Sequence, residues 1–189
     1  AERLNRYVGD LLDMTRLEGG ALKVRAEWTD VRDILNASIE RVSRRLGQRA
    51  MVRDFPADLS LVRVDEGLLE QALVNVLENA IAYSPDGSTI EVAAYEDRNA
   101  VVISVEDEGQ GIPTEELERV FDKFRRSEAS SEQTKGVGLG LAIARGFVEA
   151  MDGRIAAASP IHAGTNGEKP GTRILISLPK AIVTHKDLL

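Results

Sequence analysis

The chain has 189 residues, enough to bury one substantial core but cramped for a second full domain, so one compact domain with an appendage is expected. Its 24 Lys and Arg against 31 Asp and Glu leave a net charge of −7, which argues against a sequence-independent grip on nucleic acid or anionic lipid. The absence of cysteine excludes disulfide scaffolds and thiolate metal sites, and two histidines are too few to favour zinc.

No stretch approaches the about 18 to 20 uninterrupted apolar residues of a membrane-spanning helix, and the opening residues lack the layout of a secretory signal. The sequence begins partway into a helical pattern, as expected of a segment of a longer protein. Leu4, Val8, Leu11, Leu12 and Leu17 recur at helical spacing until Gly19 and Gly20 stop the run. This amphipathic helix is either packed on the following domain or one piece of a helix bundle.

Beyond Gly20 the pattern predicts a short strand near residues 22–28, a helix from about Asp30 to Gln48, and strands near 51–55 and 59–64. Asp65 is placed to cap a helix that ends before Pro85. Residues 89–97 and 100–107 alternate apolar and polar on either side of Arg98 and Asn99, which predicts an antiparallel hairpin. A helix over 114–124 follows, then an aperiodic polar loop, RSEASSEQTKG, then a helix over 139–153 closed by Gly153. Strands near 154–159 and 172–179 complete an α/β two-layer sandwich, a mixed sheet with helices on one face.

Three motifs carry chemistry. On the helix after Asp65, Leu69, Leu73, Val76, Leu77 and Ala80 share one flank, while Gln71, Asn75, Asn79 and Tyr83 share another. A solvent-facing flank would favour Glu, Lys or Arg, which suit a helix better than Asn by a few tenths of a kcal/mol each. A carboxamide oxygen is a hard neutral ligand suited to Mg²⁺ beside polyphosphate; the competing reading has both asparagines bonded to neighbouring loops. In VEDEGQGIP (105–113), a strand runs into Asp107 and then loses its side chains at Gly109 and Gly111, where a ligand can approach the backbone. Asp107 is an acceptor for an exocyclic amine or a cap for its own turn.

In GVGLGLA (136–142), the preceding polar loop rules out a dinucleotide fingerprint, and the lack of Gly-Lys-Ser/Thr rules out a P-loop. What remains is a glycine-rich turn opening a helix whose free N–H groups can receive phosphate oxygens. Between the glycine clusters, Phe121 and Phe124 are read as core residues, and Lys123, Arg125 and Arg126 as cations for a terminal phosphate or a solvated basic patch.

Taken in order, the asparagine helix, Asp-x-Gly-x-Gly, Phe-x-x-Phe, Gly-x-Gly-x-Gly and the late Gly171-Thr172 resemble the N, G1, F, G2 and G3 boxes of bacterial sensor histidine kinases, over about residues 22–180. The run LLDMTRLEGGALKVRAEW further resembles the Kdp-type potassium-responsive members. The resemblance implies the Bergerat ATP-binding fold, with ATP and Mg²⁺ as ligands. It implies that Asn79 and Asn75 hold Mg²⁺, that Asp107 binds the adenine amino group, and that Gly109 and Gly111 admit the base. Tyr83, Ile112, Phe124, Leu139, Leu141 and Thr172 would line the nucleotide. Gly136, Gly138, Gly140 and Lys135 would serve the phosphates, with Lys123 or Arg126 as the γ-phosphate cation.

Residues 1–20 would then be the end of the second helix of a dimerisation hairpin, 21–180 the catalytic domain and 181–189 a tail. Implied partners are that hairpin, a response regulator and a second copy in the full-length homodimer. The domain is expected in the cytoplasm, with the full-length protein anchored in the bacterial inner membrane. One departure stands out: many relatives carry a basic residue just before the tyrosine, and here it is Ala82. Water-activating ATPases of this fold place a glutamate four residues before the metal asparagine; here that position is Asn75, which favours a kinase over a hydrolase. A nucleotide-binding pseudokinase is the remaining alternative. Neither His162 nor His185 has the acidic neighbour expected of a phosphoacceptor, so no self-phosphorylation is expected.

Overall fold

The structure, a computed structural model, describes residues 2–125, 138–161 and 170–181. The polar loop read over 126–136, the candidates Arg126, Lys135 and Gly136, both histidines and the tail from 182 lie outside the described residues. In chain order the elements are α1 (Glu2–Glu18), β1 (Glu27–Thr29), α2 (Val31–Val42), β2 (Ala50–Asp54), β3 (Val62–Val64) and α3 (Glu66–Tyr83). They continue with β4 (Thr89–Asp97), β5 (Ala100–Asp107), α4 (Gly140–Ala150), β6 (Arg154–Ala158) and β7 (Thr172–Pro179).

Helix α3 organises the domain. Asp65 stands before it in extended backbone, and its Oδ1 accepts from the Leu68 N–H at 3.2 Å, satisfying one of the donors that a first turn leaves open. The Ser84 N–H still reaches the Ala80 carbonyl at 3.0 Å, after which the chain extends into Pro85. Arg49 closes this end, donating from Nε and Nη2 to the Ser84 carbonyl at 3.0 and 2.7 Å. Leu69, Ala72, Leu73, Val76, Leu77 and Ala80 are buried, as the apolar flank requires.

Five strands in the order β2-β4-β5-β7-β6 form the main sheet. β2 and β4 are parallel because the chain between them crosses through α3, and the other pairs are antiparallel. Ile90, Val92, Val101, Ile103, Val105, Ile174, Ile176 and Leu178 alternate onto one face and are buried. On the opposite face Glu106 pairs with Arg173, directly across the β5–β7 ladder. α3 packs on β5, and α2 and α4 pack against α3. The mixed sheet with its helices on one face is the architecture expected, and the β4–β5 hairpin turns at Arg98 and Asn99 as read.

Elsewhere the sequence reading is corrected. The strand near 22–28 contracts to Glu27–Thr29 and pairs with β3 in a separate two-stranded sheet. The helix from Asp30 stops at Val42 and tightens into a 3₁₀ turn over Ser43–Arg45. Residues 114–124 form no α-helix but two 3₁₀ turns, Thr114–Glu116 and Arg119–Phe121. The chain is already extended at Asp122 (φ −72°, ψ 146°) and left-handed at Phe124 (φ +60°), whose N–H donates to the Gly138 carbonyl at 2.9 Å; a right-handed helix runs through neither conformation. Phe121 is buried, but Phe124 is 63% exposed, so the core assignment holds for the first phenylalanine alone.

α1 docks by its C-terminal half. Met14 is buried, and Leu17 lies so close to Gly146 of α4 that a methyl group there would stand 2.6 Å from Leu17 Cδ1. Gln71 Nε2 donates to Asp13 Oδ2 at 2.8 Å. Burial raises the Asp13 carboxyl above its ordinary value even though Arg16 and Gln71 oppose the shift. Leu4, Val8, Leu11 and Leu12 remain 50–67% exposed. The helix therefore satisfies the packed reading over its second half only.

Leu73 has no solvent exposure and sits mid-helix between the sheet and its flanking helices. Leu73→Ala is expected to cost about 3 kcal/mol of stability, measured by urea unfolding; a loss below about 1 kcal/mol would contradict this packing.

Candidate functional site

The functional residues gather where β5, α3 and α4 meet. Asp107 ends β5 directly opposite Thr172, the first residue of β7, and both are buried, at 5% and 6% exposure. Asp107 Oδ1 accepts from the Gly109 N–H at 2.8 Å. Burial nevertheless prevails over the hydrogen bonds from the Gly109 and Thr172 backbone and pushes the Asp107 carboxyl up to about 6. A raised carboxyl binds its proton more firmly in the folded chain than in the unfolded one. Its contribution to stability is therefore full below the usual value of 3.8 and is lost as pH rises through about 6. At neutral pH the fold holds a buried carboxylate at the expense of stability.

The turn after it is closely fitted. A methyl group on Gly109 would lie 2.5 Å from Asp107 Oδ1 and 2.9 Å from the Tyr83 carbonyl oxygen, so the side-chain-free backbone is required to bring β5 against the end of α3. Asp107, Gly109, Tyr83 and Thr172 thus meet at one end of the site. Gly111, at φ +75°, and the half-buried Ile112 continue the same wall.

At the other end, α4 begins beside α3. A methyl group on Gly140 would stand 3.8 Å from Asn75 Cβ. Asn75 Nδ2 is buried and finds no hydrogen-bond partner among the described residues. Leu139 precedes α4, 2% exposed and offering no side-chain cap, so the first-turn N–H groups of an 11-residue helix are left to other acceptors. Leu141, half-buried, lies in that first turn. Gly138, at φ +75°, is pressed against the 124–125 backbone: a methyl group there would come within 2.5 Å of the Arg125 carbonyl oxygen. Asn79 stands one turn beyond Asn75, half-buried on the same flank.

Two ion pairs bear on the site. Lys123 ion-pairs with Glu18 of α1, so the side chain read as a γ-phosphate cation is engaged outside the site. Among the described residues, no cluster of three or more His, Cys, Asp or Glu side chains is arranged to hold a metal. Glu78, beside Asn79 in sequence, ion-pairs with Arg45, in keeping with the structural role its position round the helix suggests. Sequence reasoning missed that Gln71, first in the polar flank of α3, docks α1 rather than facing a ligand; its four-residue spacing from Asn75 was visible, but its partner Asp13 lies 58 positions away.

A buried acceptor thus stands at one end, open helix donors at the other, and glycines that leave the backbone accessible flank both. Residues 64–182 match the model of the histidine kinase-, DNA gyrase B- and HSP90-like ATPase family, and the chain belongs to that family. It is 36% identical over 88% of its length to the sensor protein KdpD of Clostridium acetobutylicum and 35% identical over 94% to the sensor histidine kinase WalK of Bacillus subtilis. It spans only 18% and 29% of those two proteins. Among solved structures, the mycobacterial sensor histidine kinase MprB superposes with a TM-score of 0.71 at 33% identity, covering 82% of this chain and 97% of that one. Full-length ShkA in complex with AMPPNP superposes with a TM-score of 0.77 at 26% identity, covering 95% of this chain and 37% of that one. The fold is the Bergerat ATP-binding fold of histidine kinase catalytic domains.

Gly138→Ala is expected to destabilise the chain by about 1–3 kcal/mol more than Gly87→Ala. Both positions have positive φ, but Gly87 has nothing within 4 Å of the added carbon. Equal losses in urea unfolding would contradict the close approach of the 124–125 backbone to Gly138.

Proposed function

We propose that the chain is the ATP-binding catalytic domain of a two-component sensor histidine kinase, which moves the γ-phosphoryl group of ATP to a histidine on a dimerisation hairpin. The observation that carries the reading is Asp107, a carboxylate buried to 5% exposure beside a glycine turn with no room for a side chain. A buried acceptor that, among the described residues, is met by backbone donors is suited to an exocyclic amine, and the adenine amino group supplies one. Gly109 and Gly111 give the base access, with Tyr83, Ile112, Thr172 and the exposed Phe124 around it.

The Asn75 Nδ2, buried and without a partner among the described residues, can donate to a phosphate oxygen, and the open first turn of α4 adds further donors for a triphosphate. Asn79, with Asn75, would hold Mg²⁺ through carboxamide oxygens; such a site needs no all-protein cage, because Mg²⁺ takes most of its oxygens from phosphate and water. Mg²⁺, when bound, neutralises charge on the phosphate oxygens. Gly136, Gly138 and Gly140 bring the backbone to the phosphates, Leu139 and Leu141 line the turn, and Lys135, Arg126 or Lys123 meets the terminal phosphate. Lys123 serves only after parting from Glu18.

Asn75 stands where a hydrolase of this fold would carry its glutamate, and an amide cannot take a proton from water. Phosphoryl transfer to an imidazole needs alignment and charge stabilisation more than a strong base. We assign residues 1–20 to the end of the second hairpin helix, 21–180 to the catalytic domain and 181–189 to a tail. The hairpin, a response regulator and a second protomer are its proposed partners. Among the described residues no helix is long and apolar enough to cross a membrane. We place the domain on the cytoplasmic side of a protein anchored in the bacterial inner membrane.

A non-hydrolysable ATP analogue should bind with Mg²⁺ and lose affinity on Asn79→Ala by about tenfold or more, the loss vanishing without Mg²⁺. Because Asp107 must be ionised to accept best, affinity should fall about five- to tenfold between pH 7.5 and pH 5, following a group that titrates near 6. Binding insensitive to both would overturn the assignment. With ATP, the chain should label a separately supplied dimerisation hairpin and not itself. Binding without such labelling would select the pseudokinase.

A further inference from the structure

Ser159, the residue after β6, joins three segments around the base end of the site. Its Oγ accepts from the Ile112 N–H at 2.9 Å and donates to the Gly171 carbonyl oxygen at 2.7 Å. Gly171 in turn donates its N–H to the Gly109 carbonyl at 3.1 Å, and the Ile161 N–H donates to the Pro170 carbonyl at 2.8 Å. The turn leaving β5 and the turn entering β7 are thereby tied together beyond the Asp107–Thr172 pair, where the sheet ladder ends.

The fit around this hydroxyl is close. A methyl group on Gly111 would lie 2.8 Å from Ser159 Oγ and 2.8 Å from Pro170 Cγ, and one on Gly171 would lie 2.6 Å from the Asp107 carbonyl oxygen. A serine hydroxyl has one proton to give and lone pairs to receive, and both functions here go to backbone groups. Removing it leaves the Ile112 N–H and the Gly171 carbonyl without that partner. Ser159 is half-buried and stands outside the hydrophobic core, so its two bonds bear on the 109–112 turn rather than on the sheet.

We propose that Ser159 is a positioning residue for base recognition: it fixes the 109–112 turn relative to the Asp107 carboxylate, and so determines how well the site selects a purine carrying an exocyclic amine. The proposal rests on the nucleotide reading given above. Its bonds to Ile112 and Gly171 hold both walls of the base slot at once. Without them the turn can drift while the phosphate end, built on α3 and α4, stays in place.

The test compares ATP with purine riboside triphosphate, which lacks the exocyclic amine, by titration with Mg²⁺ at pH 7.5. The unsubstituted chain should prefer ATP by at least about tenfold, since the carboxylate bond to the amine is charge-assisted. Ser159→Ala should reduce that preference below about threefold, chiefly by weakening ATP, and Ser159→Thr, which keeps the hydroxyl, should restore it. A general loosening of the fold would weaken both nucleotides alike, and that result, or an unchanged preference in Ser159→Ala, overturns the proposal. If the unsubstituted chain binds neither nucleotide, or binds both equally, the nucleotide reading falls and takes this proposal with it. Should Ser159→Ala fail to fold, amide exchange in the unsubstituted chain decides: the Ile112 N–H should be protected, and exchange as fast as at exposed Gln110 overturns the bond on which the proposal stands.

Discussion

A carboxylate at the end of a central strand, buried and met, among the described residues, by backbone donors, is the constraint around which this domain is arranged. Burying it disfavours the charged form strongly enough to lift the Asp107 carboxyl to about 6. The surrounding features follow from tolerating that group. Thr172 is paired opposite it in the sheet, Gly109 is stripped of a side chain so that its N–H can reach Oδ1, and the C-terminal end of α3 is brought to within contact of the same turn. This buried acid is the acceptor on which the proposed nucleotide reading rests.

The second organising element is α3, which does two jobs on two flanks. Its apolar side holds the sheet to the helical layer, while its polar side runs from the docking bond at Gln71, through Asn75 and Asn79, to Tyr83 beside Gly109. The same helix therefore touches α1, the start of α4 and the end of β5. Movement of α1 bears directly on the residue one turn before Asn75, and the Lys123–Glu18 pair ties α1 to the turn that approaches Gly138. The appendage and the nucleotide end are mechanically adjacent.

Much of this was legible in the sequence because it is local. The Asp65 cap, the two flanks of α3 and the β4–β5 hairpin are each dictated by residues within a turn or a strand of one another, and all appear as read; α4 instead stops at Ala150, and Asp152 rather than Gly153 takes the left-handed turn, at φ +59°. The misreadings arise where a distant partner decides. Residues 114–124 carry helical spacing, yet the chain is extended at Asp122 and left-handed at Phe124, whose N–H goes to Gly138; spacing likewise gives no sign that Glu18, 105 positions away, pairs with Lys123. Ser159 gave no signal at all, because its significance depends on two backbone groups, at Ile112 and Gly171, that spacing along the chain cannot bring together. The candidate site residues are legible as types in order; their pairing needs three dimensions.

The most direct test of the central claim is the titration of the Asp107 carboxyl carbon by NMR, without nucleotide and then with saturating ATP analogue and Mg²⁺. Without nucleotide the carboxyl should titrate near 6. On binding, an amine hydrogen donated to the ionised form should lower that value by about one unit or more, with the proton released to solvent. A carboxyl whose titration is the same in both states would mean that the base lies elsewhere, and would contradict the account.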